Sequence, residues 1–167
     1  MNYAYLESPI GPLLIAGDRE AVRGIWFPRD GKSVAPQAGW HASVSGPVGE
    51  TIRQLREYFA GRRRAFDLPL APEGTPFRRA VWRVLREIPY GETISYGELA
   101  RRVGNPKASR AAGSANGANP LPIVIPCHRV IAGDGSLGGF GGGLPAKQAL
   151  LALEKADLIG DGAVAGR

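Results

Sequence analysis

Cysteine is almost absent from this chain: Cys127 is the one thiol in 167 residues. A lone thiol cannot close an internal disulfide. With only two histidines, His41 and His128, a cysteine-rich zinc site is also out of reach. A single free cysteine fits a reducing compartment. No run of about 18 apolar residues occurs, so no membrane span is expected. The first residues, Met1-Asn2-Tyr3-Ala4-Tyr5, lack a basic stretch and an apolar stretch, so no signal peptide is expected.

What the chain does have is apolar residues at 44%, enough for a real core, and a formal charge of +6. The charge is uneven. Residues 1–72 carry nine Lys/Arg against seven Asp/Glu, and residues 73–167 carry twelve against eight. The excess sits with the cysteine half and permits a polyanionic partner. The cluster Arg62-Arg63-Arg64 reads as a solvated loop.

The first half reads as strands at Tyr3 to Glu7, Leu13 to Ala16 and Val22 to Phe27, with a turn at Ser8-Pro9-Ile10-Gly11-Pro12. Residues 28–46 read as loop. Val48, Ile52, Leu55, Tyr58 and Phe59 fall at helical spacing up to Gly61, and Ala65 to Leu70 is expected to return as a strand. The predicted class is α/β (α+β). A small sheet-plus-helix domain, 1–72, precedes a mostly helical domain, 73–160, and a flexible tail, 161–167. No catalytic constellation is visible in the first half.

In the second half, Thr75-Pro76 opens a helix, with Thr as N-cap and Pro in the first turn, running to Ile88 before Pro89-Tyr90-Gly91. Ser95 and Glu98 form a capping box for a short helix to about Val103. Gly104-Asn105-Pro106 then predicts a second helix, capped by Asn105 and running from Pro106 to Asn116. Two short helices across a glycine turn form the helix-turn-helix pattern, common to DNA readers and to ordinary helical hairpins. The second helix is built of small residues, Ala108, Ser109, Ala111, Ala112, Gly113, Ser114 and Ala115, with Arg110 as its long cation. Small residues admit close approach to a narrow groove and suit sequence-independent binding, or serve tight helix packing.

The segment Leu121 to Val130 reads as a short buried strand containing Ile125-Pro126-Cys127-His128-Arg129-Val130. Cys127 is either core packing or chemistry. The neighbouring imidazole and guanidinium favour a thiolate. In an extended chain, however, His128 points away from Cys127, so direct contact between them is not expected. Gly138-Gly139-Phe140-Gly141-Gly142-Gly143 is not a phosphate loop, since no Gly-Lys-Ser/Thr follows. It is either a connector or a bare backbone that approaches a ligand beside one aromatic ring. Pro145 to Leu158 reads as a closing helix that buries Leu150, Leu151, Leu153 and Leu158.

These residues, in this order, resemble the O6-alkylguanine-DNA alkyltransferases from about Thr75 to Leu158. The match rests on Ile-Pro-Cys-His-Arg-Val, Pro89-Tyr90-Gly91-Glu92-Thr93, Ser95-Tyr96, Gly104-Asn105-Pro106 and Asn119-Pro120. The first half matches loosely, through Ser8-Pro9-Ile10-Gly11 and the helix end at Leu55 to Ala60. The resemblance implies a monomer that flips an alkylated guanine from double-stranded DNA and moves the alkyl group irreversibly to Cys127. O4-alkylthymine and cooperative assembly on DNA are left open. The location implied is cytoplasmic, on the nucleoid when DNA-bound.

Residue by residue, the resemblance makes Cys127 the acceptor and His128 its base through a water, with Glu154 orienting His128. Asn119 braces the turn before the cysteine. Tyr96 donates to the leaving guanine or crowds its phosphate, and Arg110 fills the gap in the stack. Asn105, Ala108, Ser109, Ala111, Gly113 and Ser114 lie toward DNA. Backbone groups of Cys127, Val130 and Gly141 read the base, and Lys147 supports the glycine-rich loop. Phe140 stands where many members have tyrosine, which implies altered base or adduct preference. Members with structural zinc hold it through N-terminal cysteines, so neither metal nor cofactor is expected.

Three other readings compete. A non-enzymatic sensor of alkyl lesions would lack the acceptor cysteine, which is present. A Cys-His hydrolase with Asn119 as orienter leaves the helix pair unexplained. A helix-turn-helix regulator leaves the cysteine segment unexplained.

Overall fold

The computed structural model describes the backbone of residues 1–164 and the side chains of residues 1–155. Three strands, β1 (Asn2–Leu6), β2 (Leu13–Gly17) and β3 (Val22–Trp26), form an antiparallel meander. A two-residue strand within the expected loop, β4 (His41–Ala42), adds parallel to β1, giving the order β3-β2-β1-β4. The central strand β2 is buried along its whole length, which its unbroken apolar run Leu13-Leu14-Ile15-Ala16 permits.

Helix α1 (Pro47–Phe59) lays Val48, Ile52, Leu55 and Tyr58 on the sheet. It ends at Gly61, whose φ of 75° allows the N–H groups of Gly61 and Arg62 to bond back to Tyr58 and Glu57. The strand expected at 65–70 is not formed. That segment meets the sheet at one bridge, Val22 to Leu70, and is otherwise tied by the Gln54 amide to both backbone groups of Asp67. Pro69 and Pro72 supply no N–H, so a continuous ladder is unavailable.

Helix α2 (Pro76–Leu85) starts as expected, with Thr75 Oγ1 accepting from Arg78 N at 3.2 Å, and tightens into single turns up to Ile88. Strand β5 (Ile94–Ser95) leads into α3 (Tyr96–Arg102), where the Ser95 side chain caps Glu98 N. The Glu98 carboxylate pairs with Arg101 and Arg102.

The next helix, α4 (Ser109–Gly117), begins three residues later than expected, and Asn105 is not its cap. Asn105 instead finishes α3. Gly104 takes a φ of 87°, and the N–H groups of Gly104 and Asn105 bond to Arg101 and Ala100. Trp82 fixes α2 against α4 through an indole N–H bond of 2.8 Å to the Ala115 carbonyl.

The segment 121–130 is not a strand. It turns sharply, with Ile123 at a φ of +74°, a costly conformation for a β-branched residue. It then forms one 3₁₀ turn over Cys127–Arg129 and a short β6 (Val130–Ile131), paired parallel with β5. Helix α5 (Leu144–Val164) runs beyond the expected end at Leu158 and into the expected tail, of which residues 165–167 lie outside the described ones. Leu150 is buried and Leu151 and Leu153 are half-buried, while the side chain of Leu158 lies outside the described residues. One continuous core joins the two halves, from Leu13 and Leu55 to Leu99, Val130 and Leu150. Among the described residues no helix is long and apolar enough to cross a membrane.

Candidate active site

Asn119 builds the floor of the site. Its amide accepts from Leu121 N at 2.9 Å and donates to the Ile125 carbonyl at 2.7 Å, substituting for a strand partner across the turn at Ile123. The Pro120 carbonyl is held from the first half by Ile25 N at 2.9 Å. The chain therefore enters Pro126-Cys127 on a fixed path.

The 3₁₀ turn separates the next two side chains. At three residues per turn, successive side chains diverge by roughly 120°. Cys127 lines a cavity of 810 Å³, whereas His128, fully buried, turns to α5. The divergence expected from an extended chain is present, but a helical turn produces it.

On α5, Glu154 is 1% exposed and accepts from every side. Its Oε2 receives His128 Nε2 at 2.6 Å, Tyr58 Oη at 2.7 Å and Arg129 Nη2 at 3.1 Å. Its Oε1 receives Arg129 Nε at 2.9 Å and Gly91 N at 3.1 Å. Burial alone would raise this carboxyl, but the bonds from His128 and Arg129 outweigh it and hold it at about 2. An ionised Glu154 can only accept, so His128 carries its proton on Nε2 and presents a lone pair on Nδ1. That Nδ1 has no partner among the described residues. Burial draws His128 below its ordinary value despite Glu154, so the ring is neutral near pH 7.

Cys127 departs from expectation. Arg129 and His128 are both committed to Glu154, and burial pushes the thiol up to about 11, with smaller opposing effects from Asn119 and Lys147. The resting group is a thiol, and a thiolate must be made by proton removal.

The cavity is assembled from both halves. Ile25, Trp26, Phe27, Pro28 and Arg29 line one wall, and Tyr96, Ser109, Arg110, Gly113 and Asn116 another. Phe140 and Gly141 close it from the glycine-rich loop, with Phe140 packed edge-on against Phe27 at 5.3 Å. That loop is pinned beneath by buried Lys147, whose ammonium donates to the carbonyls of Val130 at 2.7 Å, Leu137 and Gly139. Val130 is buried and does not line the cavity. Burial raises the Tyr96 hydroxyl above its ordinary value, keeping it a donor. Arg110 is exposed at the cavity and has no ion pair among the described residues. Ala111 and Ser114 are exposed on the same helix, Ala108 precedes it half-exposed, and Asn105 is exposed on the turn before.

Two family descriptions match this chain. The 6-O-methylguanine DNA methyltransferase ribonuclease-like domain matches residues 1–72, and the DNA-binding domain of the same protein matches residues 76–156. This chain belongs to the 6-O-methylguanine DNA methyltransferase family. Among its relatives, the methylated-DNA–protein-cysteine methyltransferase of Methanosarcina acetivorans is 51% identical over 92% of this chain and 98% of its own length. That of Haemophilus influenzae is 49% identical over 97% and 90%. The crystal structure of Mycobacterium tuberculosis OGT in complex with DNA superimposes with a TM-score of 0.86 at 43% identity, covering 94% of each chain.

Set in the methyltransferase fold, several site residues are ones that sequence reasoning passed over. Arg129 was legible only as a basic neighbour, and here it completes a buried ion cluster with Glu154. Tyr58 read as one more core position, although a hydroxyl on an otherwise apolar face was a signal. Asn116 closed the small-residue helix without a role. It is 4% exposed, donates to the Cys127 carbonyl at 3.3 Å and lines the cavity. The aromatic and proline residues at the end of β3 carried no sequence signal of a pocket.

Proposed function

We propose that this protein repairs double-stranded DNA by flipping O6-alkylguanine into the 810 Å³ cavity and moving the alkyl group to its own Cys127. The observation that carries the reading is the pairing of a cavity-facing thiol with a buried, neutral His128 whose other nitrogen is bonded to Glu154 at 2.6 Å. His128 Nδ1 takes the thiol proton through a water. Sulfur forms a bond to the alkyl carbon as the bond from that carbon to O6 breaks. The departing guanine anion is stabilised by a proton from the Tyr96 hydroxyl, which is replaced through water by the one His128 took from the thiol. Guanine is restored with its O6 carbonyl and its proton on N1. The thioether is not cleaved, so each molecule acts once.

The other assignments follow the same geometry. Arg110 stands at the mouth to fill the gap in the base stack, and α4 lies against the groove with its small residues Ser109, Ala111, Gly113 and Ser114. The backbones of Cys127 and Gly141 read the base, while the Val130 carbonyl, away from the cavity, holds Lys147 beneath the loop. Residues 1–72 and 73–160 act as two domains sharing one cavity. One chain supplies every wall of that cavity, which supports a monomer, and the free thiol suits the reducing cytoplasm.

The test is intact mass after incubation with a duplex containing O6-methylguanine. A gain of one methyl on the Cys127 peptide, ending at one equivalent and absent in Cys127→Ala, is expected. Lesion binding with no mass change would overturn the reading in favour of a sensor.

A further inference from the structure

The first half of the chain contributes one polar atom to the proton-handling cluster. Tyr58, on α1, is completely buried, and its hydroxyl donates to Glu154 Oε2 at 2.7 Å, across 96 residues of sequence. That same oxygen accepts His128 Nε2 at 2.6 Å. With Arg129 Nη2 at 3.1 Å, three donors share the electron density of one carboxylate oxygen, the two shortest bonds coming from Tyr58 and from His128, the base. We propose that Tyr58 is a positioning residue of the transfer reaction, setting the basicity of His128 through the shared oxygen of Glu154. This rests on the reading of Cys127 as alkyl acceptor and His128 as its base.

The physical argument is direct. A carboxylate oxygen that accepts a strong bond from a neutral hydroxyl has less density to offer the imidazole N–H. The imidazolium formed when His128 takes the thiol proton is stabilised by Glu154, so a donor that draws on Oε2 weakens His128 as a base. The remaining groups around the cluster are fixed. Arg129 bonds both carboxylate oxygens and lies over the Tyr90 ring, which Arg64 also faces, and Tyr90 packs edge-on against Tyr58. Lys147, buried beneath the glycine-rich loop, acts on both His128 and Cys127, and Cys127 lines the cavity. Of these groups, Tyr58 is the one borne by the first domain that touches Glu154. Burial and the carboxylate hold the phenol well above its ordinary value, so it remains a donor throughout the working range.

The experiment compares single-turnover methyl transfer from an O6-methylguanine duplex across about pH 5 to 9, the span in which histidine titrates. Three proteins are used: native, Tyr58→Phe, and the chain carrying 3-fluorotyrosine at position 58. Removing the hydroxyl concentrates Oε2 on His128, so the acid limb of the rate should move up by on the order of half a pH unit. Fluorotyrosine is nearly isosteric and a stronger donor, so its acid limb should move down. Opposite shifts are not what a purely packing role produces. Identical profiles for all three proteins, with a change in melting temperature only, would overturn the proposal. If Tyr58→Phe fails to fold, the fluorotyrosine shift alone decides. If the native protein takes up no methyl group, the fault lies in the assignment of Cys127 as acceptor, not in Tyr58.

Discussion

Phe27, at the end of the first-domain sheet, packs edge-on against Phe140 of the glycine-rich loop, with ring centroids 5.3 Å apart. The contact joins the two halves across the mouth of the cavity, and it depends on a bare backbone. A Cβ at Gly142 would stand 2.7 Å from the Phe27 ring. Gly142→Ala should therefore push Phe27 aside, separate the two rings and reshape the wall that faces Cys127. Methyl transfer is expected to fall by roughly tenfold, an edge-to-face pair being worth about 0.5–1.5 kcal/mol. Single-turnover kinetics check the rate, and a melting temperature within a few degrees of native would localise the effect.

The thiol supplies a second expectation. With Cys127 pushed up to about 11, a reagent that needs preformed thiolate should react slowly near neutrality. Its rate should rise about tenfold per pH unit up to that value. Iodoacetamide labelling of the Cys127 peptide measures this. A rate independent of pH above 8 would contradict it. The raised value also means the folded protein holds this proton more tightly than the unfolded chain. The resulting stability is complete below the ordinary value of 9.0 and is lost as pH rises toward about 11.

Glu154 predicts the acid side. Despite burial, the bonds from His128 and Arg129 hold its carboxyl at about 2, below the ordinary value of 4.5, so the stability it provides is present above 4.5 and lost as pH falls toward 2. His128 acts in the same direction. Its lowered value means that stability falls as pH drops below the ordinary 6.5. Acid unfolding should start early and be steep. Glu154→Gln removes the partner of a buried guanidinium and should cost about 3–5 kcal/mol. Urea titrations of native and variant protein from neutral to acid pH would test both statements.

Arg110 is exposed, free of ion pairs among the described residues, and at the edge of the cavity. Arg110→Ala should leave folding unchanged and slow transfer from duplex DNA. Transfer from free O6-methylguanine base, which needs no extrusion, should be retained. Equal loss with both substrates would argue against a role in the stack. If Arg110 instead meets a phosphate, the slope of log affinity against log salt should drop by about 1.

The sequence carried the parts of this protein that depend on near neighbours. The caps at Thr75 and Ser95, the glycine stops at Gly61 and Gly104, and the apolar spacing of α1 and α2 each involve residues within one or two turns of one another. The segment around Cys127 was legible for the same reason, as a compact run of special residues. Misreadings arose where local and distant forces compete. Asn105 could cap the helix after it or finish the helix before it, and the φ available to Gly104 decided for the latter. The 121–130 segment has the β-branched content of a strand, but the Asn119 amide closes it into a turn.

Tertiary structure alone decided the chemistry of the site. Residue types around Cys127 suggested a thiolate. The fold turns both basic neighbours toward Glu154 and buries the thiol, because desolvation and a carboxylate partner outweigh adjacency in sequence. Tyr58 meets Glu154 across 96 residues, and the end of β3 meets the glycine-rich loop, through packing that no local pattern encodes. The sequence by itself determined the three-strand meander, the helices and which side chain can be the nucleophile. The three-dimensional packing determined what that side chain faces, because a burial cost or a hydrogen-bond partner exists only once distant segments have met.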